Sequence, residues 1–131
     1  MSQTKKLHFI VIDDSKLDCF IAEKIIRNTG MSDTIKSFLQ AKDALEHIKT
    51  AQHEDGTHTI VLVDIQMPIM NGFEFVEAFE TLSAAIKANY TLYVISSSIN
   101  DNDLNRVNTY ASVKQFVNKP LTTNSLVLML E

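Results

Sequence analysis

The chain has 131 residues, of which 45% are hydrophobic and 21% are charged, with three glycines and two prolines. This length fits one domain with a sizeable core, and the composition excludes a disordered or fibrous chain. Its 16 acidic and 12 basic residues give a formal charge of −4 without a basic block, which argues against direct nucleic-acid binding.

The N-terminal segment carries two lysines and then a short apolar run that ends in acids. It lacks the longer apolar core and the small-residue cleavage site of a signal peptide. No stretch of the sequence approaches the roughly 20 apolar residues that cross a bilayer. We therefore expect a cytoplasmic protein without a membrane contact.

The first predicted strand, Leu7 to Ile12, ends at two adjacent acids, Asp13 and Asp14. Neighbouring carboxylates repel each other unless a positive charge lies beside them. Apolar residues then recur at helical spacing as far as Gly30, which is typical of a helix end. The single cysteine, Cys19, lies within this helix, where we expect a buried and inert thiol.

The middle of the chain predicts a short strand at 34–38 and an amphipathic helix at 41–49. A polar loop with His53 and His58 follows, and we favour a loop over a metal site because no further ligand is placed nearby. The next strand, Thr59–Asp64, again ends in an acid. The pattern of the first strand is thus repeated.

The remaining elements alternate in the same way. The periodicity predicts a loop at 65–72, a helix carrying Phe73, Val76, Phe79 and Leu82, strands at 90–98 and 113–120, and helices at 100–111 and 122–130. A Thr or Asn cap opens the last helix. The five consecutive apolar residues "LVLML" of this helix cannot all face the core. Besides a monomer, a homodimer that pairs through this helix is therefore open.

Five apolar strands alternating with helices predict an α/β fold with a parallel sheet covered on both faces. Right-handed crossovers favour a doubly wound, flavodoxin-like sheet of order 2-1-3-4-5. Ligands of such sheets bind beyond the carboxyl ends of the strands, where the winding reverses between the first and third.

Those two strand ends carry Asp13, Asp14 and Asp64. Clustered carboxylates raise each other's pKa, and a site of oxygen ligands alone points to Mg²⁺, which binds carboxylates together with phosphate oxygens. The other two strand ends supply a hydroxyl, Ser96, and a compact charge, Lys119, both suited to phosphoryl oxygens. The sequence therefore predicts a magnesium-dependent phosphate site.

One carboxylate must be the nucleophile if the phosphoryl group is transferred covalently. Asp64 is the better candidate, because the adjacent pair Asp13 and Asp14 can hold the metal while the lone acid faces the incoming phosphorus. Pro120 is a candidate for a cis bond after Lys119.

Four motifs together resemble the receiver domain of two-component response regulators. They are Asp13-Asp14, "VDIQMPIMNG" around Asp64, Ser96, and "FVNKPL" with Lys119-Pro120. The resemblance extends from Leu7 to about Leu130, and each motif alone would be weak. It implies a domain that takes a phosphoryl group from a phosphohistidine of a histidine kinase or histidine phosphotransfer protein.

The resemblance also assigns the metal ligands. It implies that Asp64 is the phosphorylated residue and contacts Mg²⁺, that Asp14 binds the ion directly, and that Asp13 acts largely through water. The backbone carbonyl of Gln66 is implied as a further ligand.

The same resemblance assigns the switch. Lys119 would neutralise phosphoryl charge, Ser96 would turn inward to a phosphoryl oxygen, and Phe116 would change rotamer with that movement. The implied output surface comprises the fifth strand and the segment from Ile99 to Tyr110. The segment "TYASVKQF" lacks the Gly-Ala pair often found there in the family.

We expect a single receiver domain over residues 1–131, with a core at about 7–130 and no output domain. It would not be an enzyme beyond catalysing its own phosphorylation and dephosphorylation. Three alternatives compete with this interpretation. A phosphohydrolase with an aspartyl phosphate would need Asp-x-Asp, where this chain has Ser15; a flavin domain would need a phosphate-cradling loop where this loop is acidic. A receiver-like module that binds partners without phosphorylation stays open.

Overall fold

The computed structural model describes residues 7–53, 57–98 and 100–130. Strands and helices alternate almost throughout. In chain order they are β1 (Leu7–Ile12), α1 (Lys16–Asn28), β2 (Ser32–Phe38), α2 (Ala41–Thr50), β3 (Thr59–Asp64), α3 (Gly72–Glu80), α4 (Ala84–Lys87), β4 (Tyr90–Ser96), α5 (Asp101–Asn108), β5 (Val113–Asn118) and α6 (Thr123–Leu130).

The five strands form one parallel sheet with the order β2-β1-β3-β4-β5. This confirms the predicted doubly wound arrangement. The register pairs Ile12 with Val63 and Asp64 with Ile95, so the carboxyl ends of β1, β3 and β4 reach the same edge. The residues that follow these strands therefore meet there.

Each face of the sheet carries its own apolar core, because successive side chains of a strand point to opposite faces. Ile10 and Ile12 of β1 pack on the side of α2, α3 and α5. Phe9 and Val11 pack on the side of α1 and α6, where Cys19 is also buried. Burial raises the pKa of the Cys19 thiol to about 11, which fits the predicted inert cysteine.

Local signals set the helix ends. The Ser15 side chain accepts a hydrogen bond from the Asp18 backbone N–H (3.2 Å) and caps α1. After α1, Gly30 has φ +72°, a left-handed conformation that favours glycine. Asn71 opens α3 with a capping box, and Thr122 accepts from the Ser125 N–H before α6, as the predicted cap requires.

Several boundaries differ from the prediction. β2 begins at Ser32, two residues before the expected strand, and α3 ends at Glu80 instead of reaching Leu82. The short helix α4 was missed, because four residues cannot present an apolar period. β4 and β5 end at Ser96 and Asn118, each two residues before the predicted end, and α5 covers eight residues instead of twelve.

No helix in residues 7–53, 57–98 and 100–130 has the length and apolarity needed to cross a membrane. Residues 1–6 and 131 of the predicted domain, and Ile99 of the expected output surface, lie outside the described residues. The stand-alone organisation and the cytoplasmic location stay predictions.

Candidate functional site

Three carboxylates meet at the carboxyl edge of the sheet. Asp13 and Asp14 follow β1, Asp64 ends β3, and one oxygen from each lies within 4.8 Å of the others. Asp13 and Asp64 are buried, whereas Asp14 is exposed. Asp13 is held in place by the backbone N–H of Ser15, which donates to its Oδ1 (3.0 Å). The structure thus brings together the acids that the sequence places 50 residues apart.

Lys119 supplies the positive charge that the adjacent acids require. It follows β5, and its Nζ lies 2.7 Å from Asp13 Oδ2 and 3.5 Å from Asp64 Oδ2. The Lys119-Pro120 peptide bond is cis, as the sequence allowed. Burial lowers the pKa of Lys119, but hydrogen bonds to Asp13 and Asp18 outweigh that effect and raise it above its usual value. The contacts with Asp13 and Asp18 therefore favour the charged ammonium.

Asp64 occupies an environment that disfavours its charge. Burial raises the pKa of Asp64, the Lys119 ammonium lowers it, and the Asp13 carboxylate raises it again, with a net increase. The backbone N–H of Gln66 lies 3.4 Å from Asp64 Oδ1. A cation beside this carboxylate would favour its charged form.

The turn after Asp64 is closely packed. The Gly72 N–H donates to the Ile65 carbonyl (2.9 Å), and a Cβ at position 72 would lie 2.5 Å from the Asp64 carbonyl oxygen. Only glycine fits this approach. α3 is therefore drawn directly against the end of β3.

The two predicted switch residues lie near the edge without joining the carboxylates. The Ser96 side chain is buried, and its Oγ donates to the Ser98 carbonyl (2.9 Å) and accepts from the Ser98 N–H (3.1 Å). Phe116 on β5 is partly buried and packs on the side of α2, α3 and α5. The Gln66 side chain is exposed.

Asp18 is a site residue that the sequence analysis missed. Its Oδ2 lies 3.0 Å from Lys119 Nζ, and its side chain is 42% exposed. The available signal was an acid in the first turn of α1, four residues after Asp14. That signal was weak, because the helix dipole alone favours an acid there.

A cavity of about 360 Å³ opens beside Lys119, between α1 and the segment after β5. Asp18, Ile21 and Leu121 are among the residues that line it. On the same helix, Leu17 and Phe20 are 66% and 62% exposed. The cavity is thus partly apolar on the α1 side.

His53 and His58 lie away from this edge. His53 Nε2 is 2.5 Å from the Tyr90 hydroxyl, and His58 Nε2 is 2.7 Å from the Thr91 hydroxyl, both at the start of β4. In the part of the chain that the structure describes, the one group of three His, Cys, Asp or Glu side chains close enough to share a metal is the Asp13, Asp14 and Asp64 cluster.

Comparison with known proteins bears on the family and the fold of the chain. Residues 9–131 match the family described as "Response regulator receiver domain". The crystal structure of a response regulator receiver protein from Dyadobacter fermentans is similar, with a TM-score of 0.85 and 33% identity over 95% of this chain and 94% of that one.

Two curated relatives agree with this match. Sensor histidine kinase CheAY from Helicobacter pylori is 26% identical over 93% of this chain, which spans only 14% of that protein. Two-component response regulator 24 from Arabidopsis thaliana is 24% identical over 95% of this chain and 82% of its own length. The resemblance drawn from the four motifs is therefore confirmed.

Proposed function

Since the chain belongs to the response regulator receiver domain family of two-component signalling, we propose that Asp64 accepts a phosphoryl group from a phosphohistidine donor in the presence of Mg²⁺. The observation that carries the proposal is the meeting of Asp13, Asp14 and Asp64 with Lys119 at one edge of the sheet. The domain would catalyse only its own phosphorylation and dephosphorylation.

The donor set fits the metal. Receiver domains bind Mg²⁺ in an acidic pocket, and here Asp13, Asp14 and Asp64 offer oxygen ligands alone. The Gln66 carbonyl is proposed as a further ligand from the family resemblance. When bound, the ion would neutralise charge between the carboxylates and the incoming phosphoryl oxygens.

In the proposed transfer, an Asp64 carboxylate oxygen forms a bond to phosphorus while the bond from phosphorus to the donor nitrogen breaks. The electron pair of the broken bond stays on the donor's imidazole nitrogen, which takes up a proton from water. The nucleophile must be ionised, and Lys119 favours that form because its ammonium lowers the pKa of Asp64 against the opposing effect of burial. Lys119 would then contact a phosphoryl oxygen.

A phosphoryl group at Asp64 would add negative charge and three acceptor oxygens beside Ser96. We propose that the Ser96 hydroxyl gives up its hydrogen bonds to the Ser98 backbone and donates to one of those oxygens. Phe116 would then repack against the side of α2, α3 and α5, which would alter the surface of α5 and β5. Amide shifts of these elements should change on phosphorylation of the wild type and change less in Ser96→Ala.

Receiver domains interact with histidine kinases or phosphotransfer proteins. A donor that brings its imidazole to Asp64 would come close to the start of α1, which begins two residues after Asp14 and exposes Leu17 and Phe20. Burial of exposed apolar surface stabilises a protein contact. We propose that such a donor is the partner of this chain.

The test is intact-protein mass after incubation with acetyl phosphate, with and without Mg²⁺. The wild type and Asp43→Asn, which changes an exposed acid on α2, should gain one phosphoryl group only with Mg²⁺. Asp64→Asn should gain none. If the wild type gained mass neither from acetyl phosphate nor from a phosphorylated histidine phosphotransfer protein, the proposal would be contradicted. That result would favour a module that binds partners without phosphorylation.

A further inference from the structure

Lys119 contacts three carboxylates, of which two belong to the cluster that can hold a metal and one does not. Asp13 and Asp64, at 2.7 and 3.5 Å from its Nζ, belong to the cluster that can hold a metal. Asp18, at 3.0 Å, is not one of that cluster. Lys119 therefore has one partner that a bound cation leaves unused.

The position of Asp18 on α1 is fixed by the backbone. Its N–H donates to the Ser15 side chain (3.2 Å), which places Asp18 in the first turn of the helix. An acid at this position is favoured by the helix dipole whatever lies opposite. The dipole does not account for the contact with Lys119, because Lys119 lies after β5, 101 residues later in the chain.

The two hydrogen bonds of Lys119 leave room for a third. An ammonium carries three N–H donors, of which Asp13 and Asp18 each accept one. The Asp64 oxygen at 3.5 Å is near enough for attraction and lies at the outer limit of a hydrogen bond. The remaining donor can thus point toward the place where a phosphoryl oxygen on Asp64 would lie.

A cation in the cluster would weaken the contact between Asp13 and Lys119. Asp13 already accepts from the Ser15 N–H through Oδ1 and from Lys119 through Oδ2, so a metal must share its charge. Lysine is a flexible chain with a large rotamer entropy and needs an anchor to stay in one place. Asp18 provides that anchor from outside the metal cluster.

From these contacts we propose that Asp18 is a positioning residue, which holds the Lys119 ammonium at the carboxyl edge so that one donor stays available to a phosphoryl group on Asp64. The inference rests on the proposed function. It adds a residue of α1 to the phosphorylation site without assigning it contact with the metal or the phosphoryl group.

The experiment compares Asp18→Ala, Asp18→Asn and a matched control, Asp43→Ala, which removes an exposed first-turn acid from α2. Phosphorylation by acetyl phosphate is followed at Mg²⁺ concentrations that saturate each variant. In Asp18→Ala the maximal rate should fall about tenfold, a loss of about 1.4 kcal/mol of transition-state stabilisation, with the half-saturating donor concentration little changed. Asp18→Asn should recover about a third of the lost rate, because its amide oxygen still accepts from Lys119. Asp43→Ala should match the wild type.

A second measurement does not depend on phosphoryl transfer. Fluorine NMR of beryllofluoride bound at Asp64 reports the affinity for a phosphoryl analogue, and Asp18→Ala should weaken it several-fold relative to the wild type and Asp43→Ala. A purely structural role for Asp18 would lower the unfolding midpoint without changing rate or affinity well below that midpoint.

The outcomes separate the two proposals. If the wild type is phosphorylated and Asp18→Ala equals it in rate and in beryllofluoride affinity, the positioning role is wrong and the proposed function stands. A faster Asp18→Ala would also overturn it, because Asp18 would then be withholding Lys119. If the wild type itself takes no phosphoryl group, the proposed function fails and the positioning role fails with it.

Discussion

At the amino end of the sheet, an imidazole and a phenol, His53 and Tyr90, meet in one hydrogen bond (2.5 Å), whereas at the carboxyl end the single ammonium of Lys119 contacts three carboxylates. The first contact joins one polar group to one partner. The second gathers more negative charge than its lysine can neutralise, and this excess favours binding of a cation.

The difference has a cause in the topology. Parallel strands bring all their carboxyl ends to one edge, where Asp13 and Lys119 follow β1 and β5 and Asp64 ends β3. Charged side chains can meet there without interrupting the apolar faces of the sheet. Burying these charged groups costs free energy, and binding of a cation would offset that cost.

The largest expected effect is at the carboxyl end. In the absence of Mg²⁺, Lys119→Met should lower the free energy of unfolding by about 3 kcal/mol. The reason is that Asp13 and Asp64 would stay buried without the neighbouring lysine ammonium. Urea unfolding followed by circular dichroism measures this loss. Mg²⁺ should reduce it, since the ion replaces part of the missing charge.

Lys114→Met on β5 is the matched control, because Lys114 is exposed and lies on the same strand that leads to Lys119. It should change the free energy of unfolding by less than about 0.5 kcal/mol. A loss in Lys119→Met that equals the control, or that does not respond to Mg²⁺, would refute this account of the carboxyl end.

A smaller effect is expected at the amino end. Tyr90→Phe removes the hydroxyl that bonds to His53 and should lower the free energy of unfolding by about 1 kcal/mol. The same urea experiment measures it, and Mg²⁺ affinity should be unchanged. If Tyr90→Phe bound Mg²⁺ more weakly, the two ends of the sheet would be coupled. That result would contradict their expected independence.

The smallest expected effect is a change in pH dependence. His47 on α2 lines a cavity at the amino end with Lys36 and His53, and burial, Lys36 and His53 lower its pKa below the usual 6.5. The unfolded chain therefore binds a proton at a higher pH than the folded protein, so stability falls as the pH drops through 6.5 toward the folded pKa.

His47→Gln should flatten this slope, measured as the difference in urea midpoint between about pH 7.5 and about pH 5.5. The contribution of Asp64 to the pH dependence of stability has the opposite sign to that of His47. Burial raises the pKa of Asp64, so the folded protein binds this proton more tightly than the unfolded chain. Its contribution is therefore lost as the pH rises from 3.8 through the folded pKa. An unchanged slope in His47→Gln would refute the assignment at the amino end.

Much of the fold could be predicted because apolar strands such as Thr59–Asp64 are continuous and the helices between them are periodic. The meeting of Asp13, Asp14 and Asp64 followed from the winding of the sheet alone. The short helix α4 could not be found this way, since four residues carry too little periodicity and its one signal was the cap at Ser83.

The contacts of side chains were harder to predict than the strand ends. Asp18 lies in α1, where an acid already has a local explanation, and nothing in its spacing shows that Lys119 will reach it. The His53–Tyr90 pair joins residues 37 apart through side-chain orientation at the start of β4. Both contacts depend on rotamers, which sequence periodicity does not determine.

The most direct test of the account is to locate the phosphoryl group. Wild-type protein treated with acetyl phosphate and Mg²⁺ is reduced with borohydride, which converts an acyl phosphate of aspartate to homoserine, and its peptides are sequenced by mass spectrometry. We expect homoserine at position 64 alone, and only when Mg²⁺ is present. Homoserine at position 13, 14 or 18 instead, or at position 64 without Mg²⁺, would contradict it.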